Sequence, residues 1–431
     1  MTYLEAEQYI LSLASVEQTN TDYTKNLKRI EFFLKILGNP EKNIPEYIHV
    51  TGTSGKGSVC AFLQSILTAG GKKTGLLCSP HPTILLERWK IGKKHMTKSE
   101  FVQIVAHLKP CIDTYAKTSP YDMITFFDVT TIIGLYYFAQ KKVDTAVIEV
   151  GVGGRFDSTN IIPHKKIAVI TNIGLDHTEL LGDTKEKIAF EKSGIIKKNC
   201  QVFSMERDEK ILKIIKDECN KTKTQLHTIN RPDFNFLQTE HGISFEYKNK
   251  KYHINTLGTH QIHNAILCLE IGNELGIETK KIQKGLKSAQ QPLRMEIVSQ
   301  KPLIIFDGAH NEDKIKTTVQ TIQSLGVKNI HLVLGFSYGK DIQKMIEHIA
   351  QLKPKTIACT RNTMNPFRKV VSPIEIQKLF KKHSKNTKTK IFFDPKDAFH
   401  WSQKQQKKTD LLVVTGSIFL SGEIKVFFHQ S

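Results

Sequence analysis

A glycine-rich stretch, "TGTSGKGS" at residues 51–58, carries the residue types that hold a phosphate group. Its three glycines allow a sharp turn with backbone N–H groups pointing inward, and Lys56 adds a charge for terminal phosphates. Ser58 opens a helical pattern whose N-terminus favours an anion. A strand-like run precedes the stretch, although the standard G-x-x-x-x-G-K-[ST] spacing is not kept. The stretch therefore predicts ATP binding; the alternative is a tight turn with a solvated lysine.

Four further stretches place polar side chains near predicted strand ends. They are "GLLCSPH" with Ser79, "VIEVGVGG" with Glu149, "GLDHTELLG" with Asp176 and His177, and "AFEKSGIIK" with Lys192. A carboxylate in an apolar strand needs a partner, and hydrated Mg²⁺ is the natural one beside ATP. Singly, each residue has a structural alternative: a salt bridge, a helix cap, a core histidine or a solvated lysine. Their shared position favours a ligand site, because ligands gather at strand ends in doubly wound folds.

The elements that must position these residues alternate along the chain. Four apolar runs, "EYIHVTG", "KTGLLCS", "DTAVIEVG" and "KIAVITNIG", are typical of buried parallel strands, and amphipathic helical stretches separate them. This series predicts an α/β domain with a doubly wound, mostly parallel sheet. Residues 222–252 alternate like antiparallel strands, and we interpret them as an edge ribbon on the same domain.

The alternation restarts after "LKSAQQPLRMEIV", which holds the predicted domain boundary near 290–292. We assign residues 1–290 to the domain that carries the predicted phosphate loop and residues 293–431 to a smaller Rossmann-like α/β domain. A chain of 431 residues suits two domains.

Composition narrows the class of protein. The net charge of +20 admits a nucleic-acid partner, but only eight of the 62 basic residues are arginine and the lysines are spread along the chain. Seven scattered cysteines without a C-x-x-C pair fit free thiols in a reducing cytoplasm. We find no basic leader and no apolar run of about 18 residues, and therefore expect a cytoplasmic protein without a membrane span.

A set of motifs in a fixed order identifies a resemblance. "GTSGKGS", "SPH…ER", "TFFD", "EVGVGGRFDSTN", "GLDHTELLG", "EKSGI", "HQIHNA" and "DGAHN" follow one another across nearly the whole chain. They resemble the folylpolyglutamate synthase / dihydrofolate synthase family, a branch of the Mur-ligase-type ATP-dependent amide ligases. "GKGS" alone indicates only the Mur type, whereas "EVGVGGRFDSTN" and "GLDHT" narrow the resemblance to the folate branch. The resemblance implies a P-loop ATPase domain followed by a C-terminal glutamate-ligase domain.

The resemblance also implies roles for individual residues around ATP. The nucleotide would be held by Gly55, Lys56, Gly57, Ser58, Asn264, Arg294 and Asp307. Two Mg²⁺ ions would be held by Ser58, Ser79, Glu149, His177 and Lys192, with Lys192 carbamylated by CO₂. The residues implied in catalysis are Lys56, His177, Lys192 and His310.

Further roles concern the two other substrates, a pterin acid and L-glutamate. The pterin would contact Arg88, Thr125, Phe126, Phe127, Asp128, Phe156, Asp157 and Ser158. Glutamate would contact Asp307, His310 and Ser417 in a cleft between the domains. Three positions depart from the family pattern: Ser54 replaces Asn, Asp128 replaces Glu, and Leu293 replaces a glycine beside Arg294.

The implied reaction joins L-glutamate to dihydropteroate, to the γ-carboxylate of a reduced folate, or to both, through an acyl phosphate. The first alternative is a folylpolyglutamate synthase without dihydrofolate synthase activity. The second is a peptidoglycan Mur ligase, whose UDP-binding domain has no room before residue 51. The third, from a different class, is a basic ATPase associated with nucleic acid. The resemblance favours a monomer that binds small molecules and no nucleic acid or membrane.

Overall fold

The computed structural model describes residues 1–15, 25–230, 235–364, 369–384 and 387–430. The chain divides into two compact units. The first comprises residues 1–233 and 263–289, and the second comprises residues 234–262 and 290–431. All seven cysteines are free thiols. None of the helices within the described ranges has the length and apolar character needed to cross a membrane.

The first unit is built on one eight-stranded sheet. Its strands are β1 Glu46–Thr51, β2 Thr74–Leu77, β3 Trp89–Ile91, β4 Lys94–His95, β5 Thr145–Glu149, β6 Ile167–Ile170, β7 Gln201–Ser204 and β8 Gln225–Thr228. The helices are α1 Tyr3–Ser12, α2 Lys25–Ile36, α3 Lys56–Ala69, α4 Lys98–Thr118, α5 Phe126–Gln140, α6 Thr178–Leu181, α7 Lys185–Ser193, α8 Glu209–Thr222, α9 Thr259–Glu274 and α10 Thr279–Ser288. Helix α9 begins in the second unit and continues into the first.

The order of this sheet is β4-β3-β2-β5-β1-β6-β7-β8. Only β3 and β4 run antiparallel to their neighbours; the six other strands are parallel. Strand β5 is buried along its whole length, as its apolar run predicts. The predicted doubly wound, mostly parallel sheet is confirmed. Its topology brings the carboxyl ends of β1, β2, β5 and β6 to one edge.

A buried ion pair fixes the start of α5 in this unit. Arg29 on α2 lies 2.7 Å from Asp128, and their side chains are 7% and 1% exposed. Thr125 caps α5 through a capping box with Asp128. The Ser158 hydroxyl donates to the other Asp128 oxygen at 2.5 Å. Asp128 therefore ties α2, α5 and the 3₁₀ turn at Ser158–Ile161 together.

The second unit contains two sheets. A three-stranded antiparallel sheet is formed by β9 Phe236–Thr239, β10 Gly242–Tyr247 and β11 Lys250–Ile254. The six-stranded sheet is formed by β12 Glu296–Gln300, β13 Leu303–Phe306, β14 Ile330–Leu334, β15 Thr356–Cys359, β16 Lys388–Ile391 and β17 Leu411–Thr415. Its helices are α11 Glu312–Ser324, α12 Ile342–Ala350, α13 Pro373–His383, α14 Pro395–Gln405 and α15 Ile418–Gln430.

The six strands follow the order β12-β13-β17-β14-β15-β16, with only β12 antiparallel. Their apolar side chains form two clusters of buried residues. The α/β character predicted for this part of the chain is confirmed.

The antiparallel ribbon that we predicted at residues 222–252 of the first domain does not join the sheet of that domain as one piece. Strand β8 extends the eight-stranded sheet in parallel, whereas β9–β11 form a separate sheet that groups with the second unit. Alternation in the sequence indicates strands but does not specify which sheet they join, because pairing is decided by tertiary contacts.

Replacing Asp128 with alanine should lower the free energy of unfolding by about 3–5 kcal/mol, because the buried Arg29 charge would lose the Asp128 carboxylate. Urea unfolding followed by circular dichroism measures this loss. The matched control is Asp183→Ala, which breaks the exposed pair with Lys187 and should leave the unfolding curve almost unchanged. Equal effects of the two substitutions would contradict a structural role for the buried pair.

Candidate functional site

The glycine-rich stretch forms a loop between β1 and α3. Gly55 adopts φ 83° immediately before α3, a backbone conformation that favours glycine. The neighbouring strand end fixes the loop: the Ser54 N–H donates to Asn172 Oδ1 at 2.9 Å, and the Thr171 hydroxyl donates to the Ser54 carbonyl at 2.6 Å. The loop therefore stands at the N-terminus of a fourteen-residue helix, where the helix dipole and unpaired N–H groups attract an anion.

Two lysine side chains meet at this loop. Lys56 Nζ donates to the Gly52 carbonyl at 2.9 Å, and Lys192 Nζ donates to the same oxygen at 3.1 Å. Lys192 is 4% exposed. Burial, followed by the charge of Lys56, lowers the pKa of Lys192 to about 7. The Lys192 amine is therefore largely neutral just above neutral pH, and a neutral amine is a nucleophile.

Glu149 connects the strand ends to the loop. Its carboxylate is buried, and Oε2 accepts a hydrogen bond from the Ser79 N–H at 3.0 Å. A Cβ placed on Gly57 would lie 3.6 Å from Glu149 Oε1, so the carboxylate borders the phosphate loop. Asn264 on α9 also touches the loop, because its Oδ1 lies 2.7 Å from the Cβ position of Gly55. The structure thus brings together most of the residues that the resemblance assigned to phosphate and metal binding.

The oxygen donors at this place suit a hard cation. Ser58 is buried at the start of α3, and its hydroxyl, that of Ser79 and the Glu149 carboxylate belong to the ligand types that Mg²⁺ selects. Within the described residues, no group of three or more His, Cys, Asp or Glu side chains is arranged to hold a metal. Ser58, Ser79 and Glu149 would therefore fit a Mg²⁺ ion, which takes oxygen ligands.

His177 lies at the start of the short helix α6. Its backbone adopts φ 50°, and its imidazole is 41% exposed. Nε2 lies 4.0 Å from Asp176 Oδ2, and Nδ1 lies 3.8 Å from Glu179 Oε1. Two carboxylates therefore surround an accessible imidazole, which suits a cation more than an anion.

Arg88 is held in place by two side chains. Its Nε donates to His81 Nδ1 at 3.0 Å, and its guanidinium lies 5.2 Å from the centre of the Phe126 ring. Burial lowers the pKa of His81 to about 3, so the ring is neutral and accepts this hydrogen bond. Burial also lowers the pKa of Arg88 to about 10. His81 was not singled out by sequence reasoning, although it stands in the quoted "SPH" motif.

The other residues assigned to the pterin have different environments. Asp157 is buried and accepts hydrogen bonds from Val152 N–H at 2.9 Å and from the hydroxyl of Thr159 at 2.5 Å. Phe127 packs against Gly151, where a Cβ would come within 2.4 Å of the ring. Phe156, immediately before Asp157 in the chain, is half-buried. Asp157, like Asp128, is used to hold loops, whereas Phe126 faces the Arg88 guanidinium.

In the second unit, Asp307 organises the loops after β13 and β17. Its carboxylate accepts hydrogen bonds from Met295 N–H and Ala309 N–H, both at 3.1 Å, and from the hydroxyls of Thr318 at 2.7 Å and Thr415 at 3.4 Å. These four donors occupy both oxygens of a buried side chain. Asp307 therefore acts as a positioning residue for the neighbouring loops.

His310 and Ser417 follow the same strands. His310 Nδ1 donates to the Gly308 carbonyl at 2.8 Å, which leaves Nε2 as the acceptor for the Lys314 ammonium at 3.2 Å. Burial and the charge of Lys314 lower the pKa of His310 to about 3, so it is a weak base. Ser417 is buried before α15, and its hydroxyl accepts from Leu420 N–H at 3.5 Å.

Arg294 lies in the segment between the predicted boundary and β12. Its side chain is half-buried, and its carbonyl accepts a hydrogen bond from the Thr256 hydroxyl at 3.0 Å. Leu293, at the position where the family pattern has glycine, adopts φ 54°. The backbone at position 293 therefore adopts a conformation that favours glycine, although the residue there is leucine.

Comparisons with known proteins agree with this geometry. A model of the Mur ligase middle domain matches residues 50–272, and a model of the Mur ligase glutamate ligase domain matches residues 293–418. The dihydrofolate synthase/folylpolyglutamate synthase of Bacillus subtilis is 30% identical over 415 residues, which cover 93% of this chain and 94% of that protein.

Two solved structures are also similar. The folylpolyglutamate synthase of Thermotoga maritima superimposes with a TM-score of 0.83 at 29% identity, covering 99% of this chain and 96% of the other. FolC of E. coli in complex with ADP superimposes with a TM-score of 0.81 at 25% identity, covering 99% and 97%. Since the middle-domain model alone matches more than half of the chain, this chain belongs to the Mur ligase family, in its dihydrofolate synthase/folylpolyglutamate synthase branch.

Proposed function

We propose that this chain uses ATP to join L-glutamate to a pterin-containing carboxylic acid, either dihydropteroate or a reduced folate. The observation that carries the proposal is the convergence of Lys56, Lys192 and Glu149 on one phosphate loop. Such a loop binds the phosphates of ATP, and a ligase needs ATP because a carboxylate and an amine do not condense spontaneously in water. Gly55, Gly57, Ser58 and Asn264 would border the nucleotide, and Arg294 is a further candidate for a contact with it.

The reaction proceeds in two steps. A carboxylate oxygen of the acceptor attacks the γ-phosphorus of ATP, the bond to the β–γ bridging oxygen breaks, and ADP leaves. The glutamate amine then attacks the acyl carbon, the carbon–oxygen bond breaks, and inorganic phosphate leaves as the amide forms. Lys56 neutralises charge on the transferring phosphoryl group, and Arg88 with Phe126 would position the acceptor.

Ser58, Ser79 and Glu149 would hold a Mg²⁺ ion, which supplies charge neutralisation for the phosphates when bound. The charge environment makes Lys192 the candidate for carbamylation. Its neutral amine attacks CO₂, a nitrogen–carbon bond forms and one proton leaves, which gives a negatively charged carbamate. This carbamate and His177 would hold a second ion. The negative carbamate would also be attracted to the Lys56 ammonium, which donates to the same Gly52 carbonyl as Lys192 does.

His310 and Ser417 would contact glutamate, with Asp307 holding the loops that carry them. The low pKa of His310 supports a positioning role, because a ring that stays neutral removes few protons at neutral pH. We further propose that the protein acts as a monomer without a nucleic-acid partner. DNA binding that weakens with salt, without amide formation, would instead favour the basic-ATPase alternative.

The acceptor can be tested directly. The protein is incubated with ATP, Mg²⁺ and L-glutamate together with either dihydropteroate or tetrahydrofolate, and the products are identified by mass. We expect a glutamate added to both acceptors. A product from tetrahydrofolate alone would leave the protein a folylpolyglutamate synthase, the activity named for the T. maritima relative. No product from either acceptor would overturn the proposed function.

Replacing Lys56 with alanine should lower kcat by about 100-fold or more, because the developing phosphoryl charge would lose a fixed cation. Steady-state ADP release in the presence of both co-substrates measures the loss. Lys198→Ala is the matched control, since this exposed lysine lies near the amino end of β7 and should keep full activity. Equal activity of the two variants would remove Lys56 from the phosphate site.

Lys192 should form a carbamate more readily as the pH rises through about 7, because its amine then loses its proton. Isotopically labelled bicarbonate followed by carbon NMR should give a protein carbamate signal that Lys192→Arg lacks. Wild-type activity should fall after removal of CO₂ and return with bicarbonate, while the variant does not respond. The same carbamate signal in both proteins would contradict this assignment.

A further inference from the structure

Two buried side chains in the second unit have polar atoms without partners. Thr360 and Asn362 follow β15 and are 0% and 5% exposed. Within the part of the chain that the structure describes, no hydrogen bond reaches Thr360 Oγ1 or either polar atom of the Asn362 amide. Buried polar atoms normally have partners, because they have given up their hydrogen bonds to water. Three such atoms within three residues therefore point to a partner that binds from outside the chain.

The position of these residues in the sheet suits a ligand site. Cys359 at the end of β15 pairs with Leu334 of β14, and Leu334 pairs with Thr415 of β17. Thr360 therefore lies just beyond the carboxyl end of its strand, at the edge where Asp307 and Ser417 also follow their strands. Ligands of parallel α/β sheets bind at this edge.

The neighbouring positions along the edge carry no side chains. A Cβ on Gly335 would lie 2.8 Å from the Thr360 carbonyl, and a Cβ on Gly416 would lie 2.6 Å from the Gly335 carbonyl. Both distances are too short for a side chain. Thr360 and Gly416 stand two strand spacings apart, about 10 Å, and the side chains of Leu420 and Phe336 pack against the two glycines.

The segment after Asn362 is fixed by other contacts. The Thr363 N–H donates to the buried Glu423 carboxylate at 2.7 Å, and the Thr363 hydroxyl donates to its other oxygen. The Met364 N–H lies 3.3 Å from the same carboxylate. The N–H groups of Thr363 and Met364 are thus paired, whereas the polar atoms of the neighbouring Asn362 side chain have no partner within the described residues.

We propose that Thr360 and Asn362 bind the α-amino acid group of the incoming glutamate. The inference rests on the proposed function and names residues beyond those that the resemblance assigned. The Thr360 hydroxyl and the Asn362 amide N–H groups donate to the α-carboxylate. The Asn362 amide oxygen accepts a hydrogen bond from an N–H of the α-amine. The lone pair of the α-amine nitrogen then remains available for attack on the acyl carbon. A neutral set with donors and an acceptor complements an amino acid better than it complements a phosphate, which is an acceptor only.

Two substitutions of similar shape test this assignment: Asn362→Leu and Thr360→Val. Each removes polar atoms that have no partner in the free protein, so the thermal midpoint of the ligand-free variant should stay constant or rise. The KM for glutamate should rise about tenfold or more, corresponding to the loss of one hydrogen bond to a charged group. The KM values for ATP and for the folate acceptor should not change.

The matched control is Thr356→Val, the same substitution at the first residue of β15, the strand that Thr360 follows. The Thr356 hydroxyl lies 2.7 Å from His331 Nδ1, so its removal should lower the thermal midpoint and leave the KM for glutamate unchanged. If Asn362→Leu and Thr360→Val lower the midpoint as Thr356→Val does, both side chains have internal partners and the inference is wrong.

Measuring product formation by the wild-type chain distinguishes an error in the glutamate site from an error in the proposed function. A wild-type chain that forms glutamylated product, with variants whose KM for glutamate is unchanged, overturns this inference alone. A wild-type chain that forms no glutamylated product overturns the proposed function, and this inference falls with it.

Discussion

The carbonyl oxygen of Gly52 accepts hydrogen bonds from two lysine side chains, and the phosphate site of the first unit depends on this pair of contacts. One of them, Lys56, belongs to the phosphate loop itself. The other, Lys192, comes from a helix more than one hundred residues later and is buried, which lowers its pKa to about 7. An anion relieves the repulsion between them, and the loop presents the N-terminus of α3 to the same place. Binding of phosphates and chemistry at Lys192 are therefore coupled by simple electrostatics.

Carboxylates divide into two kinds in this protein. Glu149 borders the phosphate loop, and a hydrogen bond from the Ser79 N–H helps to fix its orientation. Asp128, Asp157 and Asp307 instead accept several hydrogen bonds each and hold loops and helix starts in place. A site that must orient three substrates depends on both kinds, because residues that touch ligands are only as well placed as the loops that carry them.

Much of the fold could be predicted from the sequence, because buried parallel strands appear as continuous apolar runs and the phosphate loop has an unusual composition. The sheet to which residues 236–254 belong could not be predicted. Alternation of apolar and polar residues indicates that one face of a strand is buried, but it does not show which strand pairs with it. The ion pair between Asp128 and Arg29 also could not be predicted, because a contact between two helices that are distant in sequence leaves no local pattern. His81 was missed because its neutral state depends on burial, and Thr360 and Asn362 belong to no motif.

Two glycines at the same sheet edge as Thr360 limit how the preference for one amino acid could be changed by mutation. Gly335 and Gly416 leave no room for a Cβ, so a side chain introduced at either position would displace backbone rather than reshape a pocket. Directed evolution of this edge is therefore confined to the flanking positions, where side chains already exist. A library that varies residues 360 and 362 while keeping both glycines fixed would sample more folded variants than one that varies all four.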